Sequence, residues 1–515
     1  MKMSIPVIKK DEKGIYNLYV NDKPFFCRSG EVHNSSASDL AYMEKEVWPK
    51  LRNLNMNSVI VPIYWETIEE TEGVYDFTLI DGLIRQARQE EMKLILLWFG
   101  LWKNSESMYV PGWMKKDTKT YYHVQKANGE AINIISPLCT EAVEKDKKAF
   151  AAIMKHIKEV DEAESTVITI QIENEIGVLG TERDYSAKAE EAFGKKIPEM
   201  MAELFGVKGD WKQAFGDQAE EYFMAYYYAN AVEEITKAGK AEYDLPCYAN
   251  AWLEQYPWYK GSYPTGGPVK SVHKIWKAAA PSLFTIGPDI YVSYCADVMD
   301  EYTYEGNPLF VPEIRKDAVA ASYCLYAFLA KNAICFSPFG IEDLALDPSA
   351  IQKPPMEVMI ALNIDPTALD TTGSREKVAA AYALMENIEP LYLQYRGTDH
   401  LKAFVRHGEN DFGLFTSFED YDIAVAYGPR ASAHPLGSIG IFELAKDKFL
   451  ILGTECTVNF RVKPGENAKV DYIKLEEGEI VQGEWKAGRI LNGDEKMAIK
   501  FGDMPKAYMV ELYKY

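Results

Sequence analysis

Between about residue 25 and residue 395, short apolar runs alternate with segments whose apolar residues return every three or four positions. The first kind reads as strands covered on both faces, the second as amphipathic helices. Strands are expected at Phe25–Glu31, Ser58–Pro62, Lys93–Phe99, Val167–Ile172, Cys247–Trp252, Thr285–Tyr291, Pro308–Pro312 and Ala333–Pro338. Helices are expected at Leu40–Leu54, Phe77–Gln89, Thr140–Glu159, Ala187–Leu204, Ala219–Ala238, Val269–Ala279, Ala318–Lys331 and Glu376–Leu393. Eight strands alternating with helices are what a (β/α)8 TIM barrel needs. A doubly wound open sheet is the runner-up, disfavoured because no glycine-rich phosphate loop follows any strand. Ahead of the barrel, Ile15–Cys27 reads as a short β-flap with a turn at Asn21-Asp22. Behind it the period changes to two, in short runs separated by Gly, Pro, Asp or Asn, as in an antiparallel β-sandwich. The expected domains are therefore 1–396, the barrel with its flap, and 397–515, a C-terminal β-sandwich.

The fourth of these strands breaks the pattern at its end. Val167–Gly177, VITIQIENEIG, runs from buried strand into Glu173-Asn174-Glu175 with no turn residue between. Barrel enzymes place their chemistry at the C-terminal ends of strands, and acids at the mouth of an apolar strand rarely serve packing. Glu313 closes the seventh strand in LFVPEIR, across an eight-strand barrel from the fourth. Two opposed carboxylates suit retaining glycoside hydrolysis, in which one acid protonates the leaving oxygen and the other attacks the anomeric carbon. Like charges at that range push the two pKa values apart, so one acid stays protonated near neutrality. Asn174, beside the acid, would donate to a sugar 2-hydroxyl. By strand alternation Glu173 is expected to point the same way as Glu175, one pleat deeper, as a buried and hydrogen-bonded support. Taken alone, Glu313 could equally pair with Arg315 or Lys316.

Composition narrows the partners. A net charge of −21 argues against nucleic acid and anionic membrane. The most apolar stretch, Leu94–Trp102, is too short to span a bilayer. Aromatic residues make up 13% of the chain, which suits stacking on sugars and equally suits cores. Seven scattered cysteines without a CxxC pair fit reduced thiols in cytoplasm and point away from zinc. No metal or other cofactor is implied. An N-terminus without an apolar h-region fits a cytoplasmic enzyme meeting imported oligosaccharides. Homo-oligomerisation is left open.

Several of these segments carry a family resemblance. Gln171–Gly177, QIENEIG, is similar to the Q-[VI]-E-N-E-[YFI]-G signature of glycoside hydrolase family 35. Arg28–His33 resembles the family's first-strand motif, Val61–Phe77 its second-strand block, and Leu309–Glu313 its nucleophile strand. The resemblance implies a retaining, exo-acting β-glycosidase, with Glu175 as acid/base, Glu313 as nucleophile and galactose as the default sugar. It also suggests that Tyr291 hydrogen-bonds the nucleophile. Strand order places His33, Trp65 and Glu66 at the border of the pocket, and Trp102 and Trp252, after the third and fifth strands, where they could stack on sugar rings. One departure concerns the sugar: where the family's galactose-contacting Glu is expected, this chain has Asn104. An amide cannot accept two hydroxyl hydrogen bonds as a carboxylate does. The alternatives are a β-glycosidase or transglycosylase for another sugar (glucoside, fucoside, glucosaminide) and a non-catalytic sugar-binding protein.

Overall fold

The computed structural model describes residues 4–515. Eight parallel strands, numbered here as barrel strands, form one sheet: β1 (Cys27–Arg28), β2 (Ser58–Tyr64), β3 (Lys93–Lys103), β4 (Val167–Asn174), β5 (Cys247–Trp252), β6 (Leu283–Ile290), β7 (Phe310–Ile314) and β8 (Cys335–Pro338). Sequential strands are neighbours, and β1 lies beside β8. The chain just beyond β1 closes the ring, because Glu31 bridges in parallel to both Ile60 and Phe339. All residues of β2, β4 and β7 are buried. That explains their unbroken apolar runs: one side faces the barrel interior, the other the helical layer.

Two helices show how sequence period reports packing. Thr140–Asp161 buries one stripe, including Ala149, Phe150, Ile153, Met154 and Ile157, and leaves the opposite face to solvent. Ala320–Lys331, by contrast, is buried nearly all round. It sits between the barrel and the C-terminal sheet, where Leu329 presses against Gly440 and the Ser322 hydroxyl donates to the Leu436 carbonyl at 2.9 Å.

The C-terminal part consists of a six-stranded and a four-stranded antiparallel sheet. Between them lies a second core of Ile423, Phe449, Ile451, Val458, Phe460 and Val510. At the other end of the chain, Val7–Lys10, Tyr16–Val20 and Lys23–Phe25 form a three-stranded antiparallel sheet.

Several elements depart from expectation. The helix expected over Ala187–Leu204 is two, Ala187–Phe193 and Glu199–Phe205, because Gly194 ends the first and Pro198 stands at the start of the second. A helix at Cys295–Tyr302 lacked a clear period in its eight residues. In the six-stranded sheet, Val470–Val481 is a largely polar, half-buried strand and Glu484–Ile490 a mostly exposed one, and no apolar alternation marks either. No described helix is long and apolar enough to cross a membrane.

Candidate active site

At the C-terminal ends of the barrel strands lies a cavity of about 260 Å³. Glu175, Glu313, Asp289, Lys103, Asn104 and Tyr291 line its polar part, with Asn34 beside them. Glu175 and Glu313 are 8% and 4% exposed. One carboxylate oxygen from each of Glu175, Asp289 and Glu313 lies within 4.8 Å of the others. Neither Arg315 nor Lys316 takes Glu313 as a partner. Arg315 forks onto Asp317 and reaches Asp365, and Lys316 pairs with Asp343. The Tyr291 hydroxyl instead donates to Glu313 Oε2 at 2.7 Å, while Glu313 Oε1 is buried without a partner.

Glu175 owes its place to a break in strand geometry. Glu173 and Glu175 both adopt left-handed backbone conformations, φ +59° and +47°, which non-glycine residues adopt at a cost and which cluster at functional sites. The expectation that both acids point the same way fails for this reason, since alternation requires extended φ at each residue between them. Glu175 enters the cleft, its backbone N–H donating to Asn250 Oδ1 at 2.8 Å. Glu173, fully buried, lies against the helical layer beside Asp146 of the Thr140–Asp161 helix, and accepts from the amides of Leu101 (3.1 Å) and Trp102 (2.7 Å). Its role as a buried, hydrogen-bonded support therefore holds. Burial raises both carboxyls of this pair, Asp146 to about 6, and the neighbouring Asp146 charge raises Glu173 further.

Gly100 makes room for the pair. A Cβ there would stand 2.5 Å from Asp146 Oδ2 and 2.6 Å from Glu173 Oε1. We expect Gly100→Ala to destabilise the fold by about 1–3 kcal/mol, the usual cost of overpacking. Denaturant unfolding followed by tryptophan fluorescence checks this; unchanged stability would mean that the pair is not rigidly held.

A second network anchors the cleft. Asn250 Nδ2 donates to Asp289 Oδ2 (2.6 Å) and Asn174 Oδ1 (3.1 Å), and Gln171 Nε2 also reaches Asn174 Oδ1 (3.1 Å). The Asn174 amide nitrogen donates to Asn104 Oδ1 at 3.2 Å. Asn104 and Ser105 turn the chain after β3 through left-handed conformations that Asn tolerates well. The residue replacing the expected carboxylate thus orients the asparagine beside Glu175.

The electrostatics are lopsided. Four buried carboxyls, Glu31, Glu175, Asp289 and Glu313, surround one buried ammonium, Lys103. Desolvation, then the Glu313 charge, pushes Glu175 up to about 8, against the pull of Lys103 and a hydrogen bond with Asp289. Desolvation also raises Glu313, but Lys103 and the Tyr291 hydroxyl hold it back. Asp289 and Glu31 are raised well above the carboxylate range by burial and by the neighbouring acids. Both Glu31 oxygens and Asp289 Oδ1 lack a partner. The cleft consequently holds protons at neutral pH, with Glu175 placed to carry one and Glu313 the most stabilised as an anion.

Of the residues singled out by sequence, Glu175, Glu313, Tyr291, Asn104 and Trp252 line this cleft, and Asn174 lies directly beneath it. His33 stands one layer out, its ring edge-on to Phe339 of the cleft wall at 5.3 Å and its Nε2 3.0 Å from Asp343. Three others fall outside. Trp65 is fully buried, its indole N–H donating to Glu69 Oε2 at 2.7 Å, because the chain turns into a short helix, Trp65–Ile68, directly after β2. Glu66, on the outer side of that turn, pairs with Lys115 at 2.8 Å. Trp102 is fully buried against Tyr228 and donates to the Ile135 carbonyl, so it has no face free for a sugar. Sequence reasoning passed over Asp289, Asn250 and Glu31. Each lies two residues before a residue it did select (Tyr291, Trp252, His33), and a period of two would have placed them on the same side of their strands.

Paired acids at the ends of the fourth and seventh strands of a (β/α)8 barrel are the layout of the barrel glycoside hydrolases. Residues 17–261 match the sequence model of the glycosyl hydrolases family 35, which supports placing this part of the chain with that family. Residues 378–501 match a domain of unknown function. No curated protein sequence is detectably similar to the chain. Among solved structures, a β-galactosidase from Rahnella sp. R3 is 14% identical, with a TM-score of 0.46 over 62% of this chain and 50% of that one. A β-galactosidase from the psychrophilic Marinomonas ef1 is 11% identical, with a TM-score of 0.46 over 72% and 60%. The exo-β-1,4-mannosidase Op5Man5 from Opitutaceae bacterium strain TAV5 is 12% identical, with a TM-score of 0.40 over 74% and 62%. The match thus spans about half the length of the Rahnella enzyme.

Proposed function

We propose that the protein is a retaining, exo-acting β-glycosidase in which Glu313 is the nucleophile and Glu175 the acid/base, with a β-galactoside as the first substrate to try. The observation that carries this reading is the approach of Glu175 and Glu313 oxygens to within 4.8 Å. Retaining enzymes hold their carboxyls about 5–5.5 Å apart, whereas inverting ones leave roughly 6.5–9.5 Å for a water. The asymmetry of the pair supports the roles. Glu175, raised to about 8, keeps the proton needed by a leaving oxygen. Glu313 is raised by burial too, but Lys103 and the Tyr291 hydroxyl favour its anion, the form a nucleophile needs.

In the first step Glu313 forms a bond to the anomeric carbon as the bond to the leaving oxygen breaks, and Glu175 gives its proton to that oxygen. In the second, Glu175 as carboxylate takes a proton from water, whose oxygen displaces Glu313. Asn174, held by Asn250, Gln171 and Asn104, has an amide N–H left for the sugar 2-hydroxyl. A cavity of about 260 Å³ is at the small end of ligand pockets, roughly 300–1,000 Å³, and suits one terminal sugar.

The test is turnover of a panel of 4-nitrophenyl β-glycosides (galactoside, glucoside, fucoside, xyloside, arabinoside, glucosaminide). Saturable release of nitrophenol from at least one is expected, and no turnover of any would contradict the reading.

A further inference from the structure

Above the acids, one wall of the cleft turns apolar: Trp252, Leu253, Pro354, Leu362, Ile364 and Leu369 line it. Two segments carry this wall outward to solvent. The loop after β5 presents Tyr256, Trp258 and Tyr259 at 72%, 57% and 63% exposure, and the short helix Met356–Ala361 presents Met356, Val358 and Ile360 at 52%, 42% and 68%. Single exposed apolar residues are ordinary, but a group of six beside a cleft is the kind of patch that marks a binding surface.

The two segments and the cleft wall are tied together by one buried side chain. Gln255, 4% exposed, accepts from Trp252 Nε1 at 2.9 Å and donates to the carbonyls of Ser262 (2.8 Å) and Ala361 (3.2 Å). Its own carbonyl accepts from the Trp258 amide at 2.8 Å. Trp258 holds φ +66°, a left-handed conformation that a bulky side chain adopts at a cost. The exposed aromatic turn is therefore braced from the cleft.

We propose that Tyr256, Trp258 and Tyr259, with Met356, Val358 and Ile360, form a platform for the leaving group, and that it takes an aromatic aglycone rather than a second sugar. This rests on the glycosidase reading. The acids occupy the cleft floor, so a sugar seated over them directs its leaving group along the apolar wall. A second sugar would need partners for its hydroxyls, and on the outer half of this wall Asn363 offers the polar side chain among Leu, Pro and Ile. An aryl ring needs only faces and edges to pack on, which Trp and Tyr supply.

The experiment compares a 2-naphthyl β-glycoside with a disaccharide ending in the same sugar, for wild type, Trp258→Ala, Tyr259→Ala and Ile360→Ser. The platform predicts that kcat/KM for the naphthyl glycoside falls on the order of 2–10-fold per aromatic anchor, through KM. Turnover of the disaccharide should fall less, so the ratio of the two changes. Equal losses on both substrates, or none on the naphthyl glycoside, would overturn the proposal. So would a change of oligomeric state in the variants by sedimentation, which would make the patch a contact between copies. If wild type turns over neither substrate, calorimetry with the naphthyl glycoside separates the two ideas. Binding that weakens in Trp258→Ala would retain the platform and overturn the glycosidase reading; no binding would overturn both.

Discussion

Glu313→Gln should lower kcat/KM for the preferred aryl β-glycoside by on the order of 10⁴-fold or more, the scale at which loss of a nucleophile acts. Glutamine preserves the length of the side chain and can still meet the Tyr291 hydroxyl, now placed 2.7 Å from Glu313 Oε2. It cannot form the bond to the anomeric carbon. Substrate binding should survive, because the side chain keeps its shape and the cleft loses only a charge. The variant should fold as well as wild type or slightly better, since an uncharged amide is cheaper to bury than the Glu313 carboxylate. Initial-rate assays with a thermal unfolding control check this. A loss smaller than about 10-fold with the fold intact would mean that another residue attacks the sugar.

Glu175→Gln should separate substrates by their leaving groups. For an alkyl glycoside or a disaccharide, which needs a proton on the leaving oxygen, kcat/KM should fall on the order of 10²–10⁴-fold, the usual contribution of general acid catalysis. For a 2,4-dinitrophenyl glycoside it should barely change, because that phenolate leaves without help. The pH dependence provides a second readout. Wild-type kcat/KM for the poor leaving group should decline as pH rises through about 8, where Glu175 loses the proton that burial and the Glu313 charge have held on it. In the variant this alkaline limb should vanish. Equal losses on both substrates, or an unchanged alkaline limb, would move the acid role to Asp289, the other strongly raised carboxyl in the cleft.

The barrel was legible because burial on both faces writes itself into sequence as unbroken Val, Ile and Leu runs, and β5, Cys247–Trp252, begins and ends where its period says it should. The candidate acids were legible for a related reason, since ionisable residues at the end of such a run stand out. What strand periodicity could not convey was backbone conformation. The left-handed residues at 173 and 175 send two acids of one triplet to opposite sides, one to a buried pair with Asp146, the other to the cleft. Nor could it separate a tryptophan beside a cleft from one beneath it. Trp65 lies in the segment that resembles the family's second-strand block and Trp102 two residues before Asn104, yet both are walled in by other aromatic rings. The strands Val470–Val481 and Glu484–Ile490 went unseen because the few apolar residues of the first, Leu475 and Ile480 among them, do not alternate regularly, and the second is ordered by pairing with its neighbour.

The separation of Glu175 and Glu313 makes a stereochemical claim, and the most direct measurement of it is the configuration of the first product. Proton NMR of the anomeric region during the first minutes of hydrolysis of a 4-nitrophenyl β-glycoside should show the β-anomer appearing first, with the α-anomer growing only later by mutarotation. The α-anomer as first product would contradict double displacement and with it the nucleophilic role of Glu313.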